Sequence, residues 1–581
     1  VRADDRRLTD EKMRRSAGPF GNQLVRKYLP GLWPSIALML GGAAFLVSAG
    51  GERTLSAGGV AILASDTPRQ LIEKAARVVP SERQAAWQRL EFQAFVHFGM
   101  DTFTDREWGL GTEDPKLFNP TDLDAAQWVE AVRAAGITGL IVTAKHHDGF
   151  CLWPSRFTDH SVKNSPWRKG RGDVVREVAE ACRKAGLKFG VYLSPWDRHE
   201  PTYGDSPRYN EHFKNQLREL LTGYGEISEV WFDGACGEGP NGKRQVYDWD
   251  AYWRLVRELQ PGAVISIMGP DVRWIGNEAG VSRESEWSVI PVARMDDRPD
   301  ERNPGGIAGL DAEAPDLGSR RAIGLAAKKG GRLVWYPAQV DVSIRPGWFY
   351  HAAEDMKVKT LGQLLDIYYA AVGGNAQLLL NVPPDRRGRI HENDVLRLKQ
   401  LGDALRSTFA ADLAAEAKAT KGGDGAAGSF IEYDLARPAA FNVILIQEDI
   451  RSGQRVEAFA VDAWDGAAWK EVARATTVGY KRLLRVPLVK ASKVRLRVLG
   501  ARAPAAISEF GLFLDPARAT GDSQASTSER REARRDTALE KIPHRVRGAQ
   551  DQRETFGEEE NDRYDWGHGN PALLGPVGRD R

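Results

Sequence analysis

Seven polar or amphipathic side chains directly follow short apolar runs, and these positions carry the sequence's chemical potential: His97, His146, His147, Tyr192, Trp196, Asp233 and Glu278. The sharpest is Asp233, which follows Val230-Trp231-Phe232 and precedes Gly234. A carboxylate at the end of such a bulky run costs burial energy unless it is hydrogen-bonded or used, although Asp-Gly is also an ordinary turn pair. One carboxyl group that attacks the anomeric carbon or activates water, and a second that keeps its proton for a leaving oxygen, together make glycosidase chemistry. The partners open to Asp233 are Glu278, Glu284, Glu286, Glu107 and Glu113. Glu278 lies in Trp274-Ile275-Gly276-Asn277-Glu278-Ala279-Gly280, where aromatic neighbours would desolvate it and raise its pKa.

His146-His147-Asp148 invites a metal reading, but adjacent residues on a strand point to opposite faces and cannot share an ion unless the chain bends. No His-x-His and no His-Glu-x-x-His occurs, so we expect no metal, and neutral imidazoles bonded to hydroxyl groups fit better. No Gly-x-x-x-x-Gly-Lys loop, Gly-x-Ser-x-Gly elbow or dinucleotide fingerprint is present, and no cofactor is expected. Lys+Arg 81 against Asp+Glu 79 leaves a net charge of +2, which excludes a field of one sign suited to nucleic acid or an anionic membrane. Seventeen tryptophans suit stacking on sugar faces as well as ordinary cores. Cys151, Cys182 and Cys236 have neither redox nor zinc spacing and read as buried thiols, with a Cys151–Cys182 bridge as the alternative.

The elements that must position these residues alternate in type. Between about 80 and 410, apolar runs at Glu91–Gly99, Gly139–His146, Lys188–Trp196, Glu229–Gly234, Ala263–Gly269, Glu286–Pro291, Leu333–Val340 and Gln377–Val382 read as strands. Helical patterns over Leu123–Ala135, Asp173–Ala185, Tyr209–Tyr224 and Tyr252–Gln260 intervene. This is the α/β signature of a (β/α)8-like TIM barrel, whose site gathers at the C-terminal strand ends. The Gly-, Pro- and Arg-rich stretch 296–320 reads as a loop over that mouth. After a turn-rich linker at Lys421–Gly425, short alternating runs across 411–517 predict an all-β sandwich. Residues 518–581 are dense in charge and predict a disordered tail. Residues 1–65 read as an export signal: Arg26 and Lys27 precede the apolar stretch Leu32–Val47 and the small-residue site Val47-Ser48-Ala49. The expected location is periplasmic or secreted, with no stable membrane partner unless that segment stays uncleaved.

Five motifs, in order, resemble the family 29 glycoside hydrolases, the α-L-fucosidases. They are Phe95-Val96-His97-Phe98-Gly99, Glu107-Trp108-Gly109, Thr143 to Phe150 around His146-His147-Asp148, Trp231-Phe232-Asp233-Gly234, and Gly373-Gly374-Asn375 followed by Leu379-Leu380-Asn381-Val382. The resemblance implies a fucosylated oligosaccharide or glycoconjugate as substrate and Asp233 as the nucleophile of a retaining double displacement. His97, Trp108, His146, His147 and Tyr192 would line the fucose pocket. Gly276–Gly280 together with Val340–Trp348 is similar to the subgroup that cleaves α-1,3/1,4-linked fucose. That similarity selects Glu278 as acid/base and places Arg345 and Trp348 at the site. Ile446–Arg455 and Gly479-Tyr480-Lys481-Arg482 resemble the discoidin-like domain that accompanies the subgroup, expected here to pack on the barrel.

Overall fold

The computed structural model describes residues 59–292 and 313–519; most of the expected signal, of the expected mouth loop and of the charged tail lies outside these residues. Strand β1, Val60–Ile62, falls within the stretch read as export signal, yet it pairs antiparallel with Gly331–Trp335. The folded chain therefore starts before the expected boundary at residue 65.

The barrel strands are β2 (Phe92–Val96), β3 (Gly139–Lys145), β4 (Lys188–Leu193), β5 (Glu229–Phe232), β6 (Val264–Ile267) and β7 (Arg273–Trp274). After β8 (Val289–Val292) and β9 (Gly331–Trp335), β10 (Ala338–Ser343) and β11 (Gln377–Asn381) complete the ring. These eight barrel strands run parallel in the order β6-β5-β4-β3-β2-β11-β10-β7, and a parallel bridge between Ser266 and Val272 nearly closes the ring. The result is a TIM-like barrel.

Two strand expectations need correction. Glu286–Pro291 does not take the sixth barrel place; β8 instead joins β1 and β9 in a separate three-stranded antiparallel sheet. The sixth place goes to the two-residue β7, reached from β6 by a short loop without a helix. Leu333–Val340 is not one strand either. Pro337 lacks an N–H and separates β9 from β10, which then enter different sheets.

Local chemistry sets the crossover helices. Asp124, Asp173 and Asp248 cap the helices Ala125–Ala134, Val174–Ala185 and Trp249–Leu259 by accepting from Gln127, Arg176 and Ala251 N–H groups. Gly186 ends the second of these at φ 72°, where a side chain would be strained. At the N-terminal end of the barrel, buried Glu229 accepts from Trp87 Nε1 at 2.8 Å, Gln93 Nε2 at 2.6 Å, Gln339 Nε2 at 2.9 Å and Ser266 Oγ at 2.5 Å. Gln339 also accepts from Trp231 Nε1 at 2.9 Å, so this polar plug holds up an aromatic ring at the far end.

The C-terminal domain is all-β and antiparallel: β12 (Lys418–Gly422), β13 (Phe430–Glu448), β14 (Val456–Trp464), β15 (Trp469–Ala475), β16 (Arg482–Ala501) and β17 (Ile507–Phe513). The short runs expected at Ser429–Leu435 and Ala440–Glu448 merge into the long β13, and those at Lys481–Pro487 and Lys493–Val498 into β16; their pairing shifts register between Asp434 and Ala439 and between Phe441 and Val443. The expected linker at Lys421–Gly425 instead overlaps β12, which pairs with β13. Phe441, Ile444, Phe459, Val461, Leu496 and Leu512 form this domain's own core. It docks through motifs that the sequence also contained: Asn375 Oδ1 accepts from Tyr480 N at 2.7 Å, and Lys481 Nζ meets Glu91 at 2.5 Å. Cys151 and Cys182 are free, buried thiols rather than a bridge, and Cys236 is half-buried.

Candidate active site

At the C-terminal ends of the barrel strands lies a cavity of about 180 Å³. Of the sequence-predicted residues, His97, Trp108, His146, His147, Tyr192, Asp233, Glu278 and Trp348 all line it, joined by Phe95, Glu107, Trp231, Trp274 and Asp341. Arg345 does not. Its guanidinium is buried and pairs with Asp394, and at 2.9 Å with Asp355, behind the loop that follows β10. A buried cation needs that pairing, so Arg345 anchors the loop carrying Trp348, and its expected place in the sugar site is corrected.

Asp233 follows β5 directly, which turns its side chain toward the mouth. Tyr192 Oη donates to Asp233 Oδ2 at 2.8 Å, and the Ala235 N–H donates to Oδ1 at 2.7 Å. Burial raises the Asp233 pKa, while these two donors and His146 pull it back toward the ionised form. Burial raises the Tyr192 pKa strongly, with Asp233 adding to it, so this hydroxyl keeps its proton and can donate. Glu278 stands in the loop after β7, and Trp348 Nε1 donates to its Oε2 at 3.3 Å. Desolvation comes first in raising the Glu278 pKa; the charges of Asp233 and Glu107 add to it and Trp348 opposes.

The three histidines form one set. The bend anticipated as the exception at His146-His147 occurs: β3 stops at Lys145, and both rings turn into the cavity with centroids 4.1 Å apart. Nδ1 of His97 faces Asn381 Oδ1 at 2.8 Å, that of His146 faces Asp101 Oδ2 at 3.1 Å, and that of His147 faces Ser194 Oγ at 2.7 Å. Ser194 donates its own proton to the Trp196 carbonyl, so His147 Nδ1 is the donor in that contact. In the tautomers this network assigns, the Nε2 atoms of His97 and His147 carry the lone pairs. Burial lowers all three pKa values, that of His97 to about 3, so the rings are neutral acceptors suited to hydroxyl groups.

Loop contacts complete the mouth. Glu107 accepts from the Trp348 N–H at 2.8 Å, the Phe349 N–H at 3.2 Å and His351 Nε2 at 2.7 Å. Gly347 permits that approach, because a Cβ there would lie 2.6 Å from Glu107 Oε1. Trp108 is 45% exposed and sets its ring edge-on to His147 and Trp196. Among the described residues, no group of His, Cys, Asp or Glu is arranged to hold a metal ion.

Two carboxyl groups with opposed roles and a ring of aromatic and imidazole side chains are what a sugar site requires. The α-L-fucosidase family model matches residues 73–288 and 317–408, the whole of the barrel and its site. The chain belongs to the α-L-fucosidase family. It is 42% identical over 482 residues to α-L-fucosidase 1 of Arabidopsis thaliana, a match covering 77% of this chain and 90% of that one. A rice protein provisionally given the same name is 43% identical over 470 residues, covering 75% of this chain and 85% of its own. The crystal structure of a Bacteroides ovatus protein, provisionally assigned as an α-L-fucosidase, superposes with a TM-score of 0.73 at 52% identity over 79% of this chain and 78% of that one. The α-L-fucosidase family is glycoside hydrolase family 29, and its membership gives the chain α-L-fucosidase activity.

Phe95, Trp231, Trp274 and Asp341 line the cavity without having been expected as site members, the first two being noted only within motifs. Asp341 had a signal, a carboxylate inside the apolar run Val340-Asp341-Val342 near a strand end. Trp274 was noted only as a neighbour of Glu278; it donates to Asp341 Oδ1 at 2.8 Å.

Proposed function

We propose that the enzyme is a retaining exo-fucosidase working by double displacement, with Asp233 as nucleophile and Glu278 as acid/base. The observation that carries this reading is the opposed setting of two carboxyl groups on one cavity: Asp233 held by two donors, Glu278 by one indole N–H amid negative charge. Asp233 attacks the anomeric carbon as the glycosidic C–O bond breaks, and the departing oxygen takes the Glu278 proton. Water then attacks the same carbon, gives a proton to Glu278, and releases Asp233 from the ester. The lone pairs of His97 and His147 accept from fucose hydroxyls while Trp108 covers the sugar.

For linkage, we favour α-1,3/1,4-fucosylated branches. The support is that both subgroup motifs line the cavity and interlock there, Trp274 donating to Asp341 and Trp348 to Glu278. We also favour an exported enzyme, periplasmic or secreted, on the strength of the basic and apolar N-terminal sequence. The test is hydrolysis of α-1,2-, α-1,3- and α-1,4-fucosylated oligosaccharides with the first-formed fucose anomer followed by NMR. Release of the α-anomer from the 1,3 and 1,4 linkages supports the reading. Initial β-fucose would end the retaining mechanism, and equal rates on all linkages would make the enzyme a broad-specificity fucosidase.

A further inference from the structure

The cavity lining holds four carboxyl groups, Glu107, Asp233, Glu278 and Asp341, and neither lysine nor arginine. The neutral histidines bring no compensating charge. Four negative charges around so small a space would repel strongly, so protons must remain on part of the set. Glu107 is taken up by three N–H contacts from the loop after β10, and Asp233 accepts from two donors, which favour its charged form. Asp341 is different. It is 5% exposed, projects from β10 between buried Val340 and Val342, and receives one side-chain donor, Trp274 Nε1 on Oδ1.

Side-chain donors are few. The neutral histidines and the carboxylates bring acceptors; Tyr192 donates to Asp233, Trp231 to Gln339, Trp274 to Asp341 and Trp348 to Glu278, which leaves the indole N–H of half-exposed Trp108 as the lining side-chain donor not already engaged. A bound sugar offers ring and hydroxyl oxygens that need donors as well. We infer that Asp341 is a third working carboxyl of this site, a neutral acid whose O–H donates to an oxygen of the bound fucose. This rests on the assignment of Asp233 and Glu278 as the reacting pair. With Trp274 fixed on Oδ1, the proton belongs on Oδ2. Burial, with the charge of Glu278 next, pushes the Asp341 pKa up to about 8, so the donor is present at neutral pH and is lost as pH rises through that value. The other titratable groups around the cavity are Asp233, Glu107, His97, His146, His147 and Tyr192.

The experiment is equilibrium binding of L-fucose between pH 6 and 9.5 to the wild type, Asp341→Asn and Asp341→Ala, alongside kcat and KM on an aryl α-L-fucoside. Asparagine presents an N–H in place of Oδ2 at every pH. The wild type should lose affinity about tenfold as pH rises past about 8, the worth of one hydrogen bond. Asp341→Asn should stay within threefold of the wild type at pH 7 and show no such fall. Asp341→Ala should bind about tenfold more weakly at pH 7, with the loss in KM rather than kcat. An Asp341→Asn variant that keeps the wild-type fall, or an Asp341→Ala variant that binds fucose like the wild type, overturns the inference. Fucose binding needs no turnover, so failure of the nucleophile assignment would be seen separately, as an Asp233→Ala enzyme that still hydrolyses the aryl fucoside.

Discussion

Replacing Tyr192 by phenylalanine removes one hydroxyl and leaves the stacked ring, whose centroid lies 5.3 Å from that of Trp231. The lost contact is the 2.8 Å bond to Asp233 Oδ2. A hydrogen bond to an ionised group contributes about 1.5–3 kcal/mol, against about 0.5–1.5 kcal/mol for a neutral pair. The charged form of Asp233 thus loses roughly 1.4 kcal/mol relative to the protonated form, a factor of about ten. Asp233 must be ionised to attack, so the acid limb of kcat/KM moves upward by about one pH unit. The plateau above it changes by less than about threefold, because the nucleophile itself is intact. The assay is a pH profile of kcat/KM on an aryl α-L-fucoside, read as the titration of the coupled carboxyl set. An unmoved acid limb with a plateau lowered a hundredfold would refute the reasoning, since it would mean that Tyr192 serves the sugar rather than the carboxylate.

Two other changes probe the walls. Asp394→Ala leaves buried Arg345 with Asp355 alone, and should cost about 3 kcal/mol in urea unfolding while KM stays near wild type. A KM increase without loss of stability would return Arg345 to the sugar site. Trp108→Ala removes a half-exposed ring set perpendicular to His147 and Trp196, and should raise KM about tenfold with under about 1 kcal/mol of destabilisation. An unchanged KM would remove Trp108 from the substrate's path.

The sequence made most of the barrel legible, because β2 to β6 and β11 contain apolar runs in an α/β alternation, whereas β10 was fused with β9. It hid the sixth strand for a physical reason: Arg273–Trp274 is too short to show a period, while Glu286–Pro291 carries strand texture but belongs to another sheet. Residues that follow their strands directly, such as Asp233 and His146, could be placed at the barrel mouth by position, while their expected roles came from the resemblance. Arg345 was not, because its destination depends on Asp394, 49 residues further on. Asp341 escaped because a strand-end carboxylate among valines resembles a simple interruption, and only the assembled barrel puts Glu278 near it.

The central claim is that Asp233 forms a covalent bond to the sugar. Incubation with a 2-deoxy-2-fluoro-fucosyl fluoride, followed by proteolysis and mass spectrometry, tests this directly, since the fluorine slows release of the ester. The account predicts one fucosyl label per chain, on the peptide containing Trp231-Phe232-Asp233-Gly234, and none in Asp233→Ala. A label on Glu278 or Asp341, with Asp233 unmodified, would contradict it.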